Sequence, residues 1–419
     1  MRALVAMIGS DLAVASCLRE SSKIIAPAST YPFLIAHRAK DKPLLIVTSS
    51  SRGAEDLAND LGELHGRVLE FPAWETLPHE RLSPRSDTVA RRLATLAALA
   101  TPNNENTIVV APIRAVIHRF IADLASQPLQ TPEIGSEVDL TTLITHLTEL
   151  AYTRTDLVEK RGEFAVRGGI IDLFLPLSEH PVRIDFFGDE IEEMSFFDVS
   201  SQRTTSPVVG KLSVLPCREL LLTQAIRVRA EAAKEKYPAA LEILDRIAQG
   251  ITTEGMESLI PILIEKTETI LQRMPAGTEV IFIDDERIRM RTIDLLATNL
   301  EFFEAAWSHA ALGAAAPLPV TDATYLSWED LHEDISRCQL ITRALNPFGS
   351  DLDTSATFLD YNAIDPLRAD IDRAVSALQE AIDADFSIIF SAAGHGMAER
   401  YAGIFRNADL PVVIVPELR

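Results

Sequence analysis

Three carboxylates directly follow an apolar run in the second half of the chain. Residues 280–283 read Val-Ile-Phe-Ile, and Asp284, Asp285 and Glu286 come next. An apolar strand that ends in carboxylates is the pattern that holds Mg²⁺ beside a bound nucleoside triphosphate. That chemistry also needs a loop that holds the phosphates. Without such a loop, the favoured interpretation is that Asp284 or Asp285 caps a helix beginning near Glu286.

The sequence lacks a phosphate-binding loop of the usual kind. Such loops read Gly-x-x-x-x-Gly-Lys-Ser/Thr, because glycine backbone wraps the phosphates and the lysine neutralises them. Before the first long helix, residues 26–30 read Ala-Pro-Ala-Ser-Thr, with no glycine and no lysine. Pro27 also removes one backbone donor. The motif occurs nowhere else in the 419 residues, so we expect no catalytic residue and no nucleotide cofactor.

Other signatures of catalytic or metal sites are weak. Residues 394–396 read Gly-His-Gly, which is half of a dinucleotide-binding fingerprint, and a tight turn between a strand and a helix explains it equally well. The nine histidines form no His-x-x-x-His pair. Cys17, Cys217 and Cys338 are far apart and odd in number, so they indicate neither a disulfide framework nor a zinc site. We expect no metal and a reducing, cytoplasmic location.

Residues 161–190 indicate recognition of a protein partner. Because side chains alternate between the two faces of a strand, residues 182–187 leave Arg183, Asp185 and Phe187 outward, and the preceding strand leaves Arg167 outward. Phe187 is a large aromatic residue in a polar register, and aromatic and arginine residues dominate interface hot spots. Two alternatives remain open. A single exposed aromatic residue needs no explanation, and a shifted register would bury it.

The elements that position these residues fall into four segments. Apolar runs at residues 44–48, 68–71 and 107–111, alternating with helical patterns, predict an open α/β sheet in residues 1–130. Period-two alternation over residues 163–198, with turns at 168–169, 180–181 and 188–189, predicts an antiparallel β-rich domain in 131–216. Helical and α/β patterning resumes over 217–345, with a helix at 239–248 and a strand at 279–283. After a linker at 346–353, residues 354–419 predict a small α/β domain with a helix at 365–382 and strands at 387–390 and 412–415.

Composition favours protein partners over nucleic acid. Lys and Arg total 39 against 61 Asp and Glu, giving a formal net charge of −22. Such a field repels a phosphate backbone at long range, so we expect this chain by itself to bind DNA poorly. No run of eighteen apolar residues occurs, so no membrane span is predicted.

Several motifs together resemble the bacterial transcription-repair coupling factor family. They are residues 161–174 (Arg-Gly-Glu-Phe-Ala-Val-Arg-Gly-Gly-Ile-Ile-Asp-Leu-Phe), 183–192, 198–204, 71–84 and 91–96. Weaker similarity extends over essentially the whole chain. The resemblance implies an α/β fold in which a degenerate helicase-like domain with a P-loop-type parallel sheet is split by an inserted β-rich UvrA-binding domain. Residues 284–286 would then be a remnant of a magnesium-binding strand, and residues 354–419 a truncated third domain.

The resemblance also implies a function and a site. By motif alignment, the family's UvrA-contacting residues fall on Arg167, Arg183 and Phe187. The expected function is a non-catalytic module of transcription-coupled nucleotide excision repair that recruits UvrA. RNA polymerase, DNA, ATP and Mg²⁺ would be bound by domains absent from this chain. Two rivals remain: a UvrB-type ATP-dependent repair helicase, which needs the phosphate loop, and an α/β scaffold without a partner.

Overall fold

The computed structural model describes residues 2–77, 82–101, 106–122, 124, 131–311, 324–349, 355–362, 371–392 and 394–415. The strands, in chain order, are β1 (Lys23–Ile25), β2 (Leu44–Thr48), β3 (Val68–Glu70), β4 (Ile108–Pro112), β5 (Phe120–Ile121), β6 (Thr153–Arg154), β7 (Glu163–Arg167), β8 (Ile170–Leu173), β9 (Val182–Phe187), β10 (Glu190–Phe197), β11 (Thr204–Pro207), β12 (Thr267–Glu268), β13 (Glu279–Ile283), β14 (Ile341–Asn346) and β15 (Ala356–Phe358).

The helices, in chain order, are α1 (Arg2–Ser10), α2 (Leu12–Glu20), α3 (Tyr31–Arg38), α4 (Ser51–Leu64), α5 (Ser86–Ala100), α6 (Ile113–Val116), α7 (Leu140–Glu149), α8 (Gln224–Ala233), α9 (Leu241–Ala248), α10 (Ile260–Leu263), α11 (Asp285–Ala311), α12 (Trp328–Arg337), α13 (Ile371–Asp383) and α14 (His395–Asn407). Among the described residues, none of these helices is both long enough and apolar enough to cross a membrane.

A seven-stranded parallel sheet forms the largest body. Its strand order is β15-β1-β14-β13-β2-β4-β3. Every residue of β2 and β4 is buried, because helices cover both faces of the sheet, as parallel sheets require. Residues of α1, α3 and α4 pack on one face, and residues of α5, α6, α11 and α12 pack on the other. The prediction of an open α/β sheet is confirmed.

The topology of this sheet shows that its domain is split in sequence. β13 pairs with β2 on one side and with β14 on the other. The second stretch of chain therefore completes a sheet begun by β1 to β4, and residues 113–278 lie between the two stretches. β15 pairs with β1 at the edge. The first described strand of the predicted 354–419 domain is thus an edge strand of the large sheet.

A cluster of helices follows the inserted domain in sequence and precedes β13. α8, α9 and α10 bury Ile226, Leu244 and Leu263 against one another, and Trp74 from the first part of the chain is buried among them. Within the predicted 217–345 segment, residues 220–263 thus build a small core around Trp74, and the chain then returns to the large sheet at β13.

A buried ion pair joins these parts. Arg92 on α5 donates from Nε to Glu219 Oε1 at 2.6 Å, and neither side chain is exposed to solvent. Trp74 Nε1 donates to the same oxygen at 2.9 Å. The Arg92 guanidinium also lies 4.2 Å from the centre of the Phe71 ring. Glu219 is thereby fixed to α5, although 127 residues separate it from Arg92.

The C-terminal segment departs from the prediction. The predicted helix at 365–382 is observed as α13, and its residues 365–370 lie outside the described residues. The strands predicted at 387–390 and 412–415 are wrong: neither run pairs with a strand among the described residues. Their apolar side chains, including Phe390 and Val413, are exposed. A strand is defined by its ladder, so an apolar run without a neighbouring strand stays irregular.

Candidate partner-binding surface

The inserted domain carries a six-stranded sheet of order β11-β10-β9-β8-β7-β6. The pairs from β7 to β11 are antiparallel, which confirms the predicted meander, and β6 pairs with β7 in parallel. Two-residue turns connect β7 to β8 and β9 to β10. Gly168 and Gly188 have φ values of +62° and +66° in these turns, which residues with a side chain rarely adopt.

One face of this sheet is a core. Phe164, Ile171 and Ile184 are fully buried, and they pack against Leu143 and Leu147 of α7. The spacing of four residues between the two leucines places both on one side of the helix. This packing fixes the register, because a slip of one residue would turn the whole apolar set toward solvent. The alternative in which Phe187 is buried by a shifted register is therefore wrong.

The other face carries all three residues singled out from the sequence. The register pairs Arg167 with Ile170, and Ile170 with Asp185. Arg183 and Phe187 lie two residues to either side of Asp185 on β9, so alternation places them on the same face. Arg167 is thus on β7, two strands away. The structure brings the three residues to one face of the sheet.

Phe187 is the most exposed of the three. Its exposed fraction is 76%, although its neighbour Phe186 packs against the core on the opposite face. Phe187 is the last residue of β9, opposite Glu190 across the turn. Most of the apolar area of this aromatic side chain is therefore available for contact.

Arg183 is held in place by its neighbours. Its Nε and Nη2 atoms donate to the two carboxylate oxygens of Asp172, at 2.7 and 2.9 Å, and Asp172 is directly opposite on β8. The guanidinium also lies 5.0 Å from the centre of the Phe197 ring. The hydrogen bonds to Asp172 raise the pKa of Arg183 above its ordinary value. Its side chain is 20% exposed, so it presents only its outer end to solvent.

Arg167 differs from Arg183 because its hydrogen bond is to backbone. Its Nη2 donates to the Asp156 carbonyl oxygen at 2.7 Å, and the residue is exposed. Acidic groups share the surface: Asp185 is half-buried, and burial, followed by the charge of Glu193, raises the pKa of its carboxyl. The face is therefore a mixed patch of cations, carboxylates and one large aromatic ring.

Residues 26–30 and 284–286 follow β1 and β13 at the carboxyl ends of the large sheet. Residues 28–30 form a short 3-10 helix in which Thr30 Oγ1 donates to the Pro27 carbonyl oxygen. Asp284 Oδ1 accepts from the Arg287 amide at 3.3 Å, and Asp285 Oδ1 accepts from the Glu286 amide at 2.8 Å and from Asn346 Nδ2 at 2.8 Å.

The interpretation that Asp284 or Asp285 caps a helix is confirmed for Asp284, which directly precedes α11 and accepts from the Arg287 amide in its first turn. Among the described residues, no three His, Cys, Asp or Glu side chains are grouped in a way that would hold a metal ion.

Comparison with known proteins finds a family model that is similar to the inserted domain and relatives that are similar to most of the chain. A family model described as the UvrB interaction domain matches residues 131–220. The transcription-repair-coupling factor of Mycobacterium tuberculosis is 38% identical over 410 residues, which cover 93% of this chain and 33% of the relative. The chain is a homologue of the transcription-repair-coupling factors. Those of Myxococcus xanthus and Escherichia coli are 33% and 26% identical, over 71% and 72% of this chain and 26% of each relative.

This transcription-repair-coupling-factor homologue thus spans about a third or less of the length of these relatives. The face that carries Arg167, Arg183 and Phe187 lies within the matched UvrB interaction domain. Sequence reasoning missed Asp172, which holds Arg183. A signal was available: Asp172 is a carboxylate inside the apolar run Ile-Ile-Asp-Leu-Phe. Its importance becomes visible only when the register of β8 and β9 is known.

Proposed function

We propose that this chain is a non-catalytic module of a transcription-coupled repair factor, and that it recruits UvrA through the outer face of its inserted domain. Arg167, Arg183 and Phe187 are the proposed contacts. The observation that carries the proposal is the joint position of these three residues on one solvent-facing surface of the UvrB interaction domain. Phe187 would supply apolar contact area, and the arginines would pair with carboxylates of the partner.

The seven-stranded domain has a supporting role in this proposal. We take it to be a degenerate helicase-like domain, because its sheet is parallel while the loop after β1 is a short 3-10 helix without glycine or lysine. Coupling to RNA polymerase, movement on DNA and ATP turnover would then belong to other domains of a longer protein. The module itself would act without nucleotide.

The test is titration of purified UvrA with this chain, by calorimetry in moderate salt. Phe187→Ala, Arg167→Ala and Arg183→Ala are each expected to weaken binding by about 2 kcal/mol, which is roughly 30-fold in Kd. Two matched controls lie on the large-sheet domain. Phe348 is 86% exposed, and the Arg52 side chain is 91% exposed. Phe348→Ala and Arg52→Ala are expected to bind like the wild type.

Two results would contradict the proposal. If none of the three variants on the inserted domain weakens binding, the site is elsewhere. If the wild-type chain does not bind UvrA at all, the chain is a scaffold whose ancestry does not explain its function. Measurable ATP hydrolysis by the purified chain would favour the rival, a UvrB-type helicase subunit.

A further inference from the structure

Asp172 is a buried carboxylate on the face of the inserted sheet that carries Arg167, Arg183 and Phe187. It is 2% exposed, and carboxylates are almost never buried to this degree unless they are paired. Both of its oxygens are used by one partner, Arg183, through two hydrogen bonds of 2.7 and 2.9 Å. Burying this pair has a desolvation cost, so its presence calls for an explanation other than stability.

The hydrogen bonds of Arg183 suggest why the buried pair is present. A guanidinium carries five N–H donors. Two of them point to Asp172, and a third, on Nη1, points to the Gln202 carbonyl oxygen at 3.4 Å. The remaining two, one on each Nη atom, have no acceptor among the described residues. The two Nη atoms form the outer edge of a guanidinium, which is the edge that can bind a second carboxylate end-on.

Phe197 restricts the remaining freedom of the side chain. Its ring is fully buried in a small cluster with Val158, Ala165 and Phe174, and its centre lies 5.0 Å from the Arg183 guanidinium carbon. The carboxylate fixes the guanidinium from one edge and the ring supports one of its faces. Among the described residues, Arg167 on the same surface has only a backbone acceptor, the Asp156 carbonyl oxygen.

We propose that Asp172 is a positioning residue that holds Arg183 in its binding conformation, so that the outer pair of N–H groups is ready for a carboxylate of the partner protein. This inference rests on the proposed function and specifies how one of its contacts works. A free arginine loses its rotamer freedom when it binds, whereas a side chain already fixed in place does not. Asp172 would therefore contribute to affinity without contacting the partner.

The test compares Asp172→Asn with the wild type in titration of UvrA. Asparagine keeps one acceptor but presents an amide N–H₂ where the second oxygen was, so the two-point contact is lost. Kd is expected to rise about three- to tenfold, the effect of freeing one long side chain. If Asp172 only offset the arginine charge, the same change would instead tighten binding to an acidic partner. The matched control is Asp56→Asn, which removes the carboxylate beside Arg52 on α4 and should leave Kd unchanged.

A double-mutant cycle separates positioning from a structural role. In the Arg183→Ala background, Asp172→Asn should have no further effect on Kd, because the residue that it positions is gone. An equal loss in both backgrounds would overturn the proposal, as would unchanged or tighter binding by Asp172→Asn alone. If Asp172→Asn fails to fold, Phe197→Leu removes the supporting ring while keeping an apolar side chain, and the same cycle applies.

A second readout does not depend on the partner. In the free wild-type chain, NMR should show the Nε–H of Arg183 in slow exchange with water, and Asp172→Asn should make that exchange fast. Fast exchange in the wild type would overturn the inference. If wild type does not bind UvrA but the exchange behaves as expected, the proposed function has failed while the positioning of Arg183 stands.

Discussion

The buried pair between Arg92 and Glu219 gives a quantitative prediction for stability. The change is Glu219→Leu, which keeps a side chain of similar volume and removes the carboxylate. Arg92 is then a fully buried cation without a counter-charge, which costs about 3–5 kcal/mol. Trp74 Nε1 also loses its acceptor, which adds about 1–3 kcal/mol for a buried unsatisfied donor. Together these terms predict a loss of roughly 4–8 kcal/mol in the free energy of unfolding.

The double variant Arg92→Met/Glu219→Leu should be more stable than Glu219→Leu alone. With both charges gone, only the Trp74 term of about 1–3 kcal/mol remains, because apolar replacement of a buried ion pair is often close to neutral. The wild-type pair is also incompletely satisfied: neither Arg92 Nη2 nor Glu219 Oε2 finds a hydrogen-bond partner within the described part of the chain.

Urea unfolding followed by far-ultraviolet circular dichroism measures these differences and avoids the altered fluorescence of Trp74. We expect a large loss in the free energy of unfolding for Glu219→Leu and for Arg92→Met alone, and a smaller loss for the double variant. Additive losses would refute the reasoning, since they would show that the two residues do not interact. A cost below about 1 kcal/mol for Glu219→Leu would show that the pair is screened by water.

Three further predictions concern acid stability and backbone strain. Burial, and then the charges of Arg92 and Arg114, hold the pKa of His118 well below 6.5. Below that pH the unfolded chain therefore binds more protons than the folded chain, and the free energy of unfolding should fall by up to about 1.4 kcal/mol per pH unit. In His118→Asn, the urea concentration at the midpoint of unfolding should depend less on pH between pH 6.5 and 5. Burial acts to raise the pKa of Glu279, but hydrogen bonding to Arg38 and nearby cations lower it overall, so its contribution is present above pH 4.5 and lost as pH falls through the folded-state pKa. Glu279→Gln should cost about 3–5 kcal/mol at pH 7 and reduce the pH dependence on the acid side, and parallel pH profiles would contradict this. Gly162 has φ +84°, and an added Cβ would lie 3.1 Å from Cys217 Sγ, so Gly162→Ala should lower stability by about 1–2 kcal/mol in thermal unfolding.

The sequence predicted much of the local structure, both from continuous apolar runs and from alternation. β2 and β13 lie at the predicted positions, because a buried parallel strand is a short, continuous apolar run. The outward position of Phe187 also followed from alternation alone. The apolar runs at 387–390 and 412–415 misled the same reasoning, because hydrophobicity indicates that a segment can form a strand but not that a neighbouring strand is present.

The candidate site was predictable in part. Motif resemblance and alternation both selected Arg167, Arg183 and Phe187, and the structure places all three on one face. Neither route selected Asp172, although it makes the closest polar contacts of Arg183. The reason is that a cross-strand partner depends on the register of two strands, and the sequence of each strand leaves that register open.

By itself, the sequence determined the types of most elements, the faces of the strands in the inserted domain and the resemblance to a family, because each of these depends on residues close together in sequence. Only the tertiary structure decided that β13 enters between β2 and β14, that Glu219 pairs with Arg92, and that Asp172 holds Arg183. These are contacts between distant segments. They are chosen by the packing of whole layers, since each layer can bury its apolar surface and satisfy its charges only against one particular neighbour.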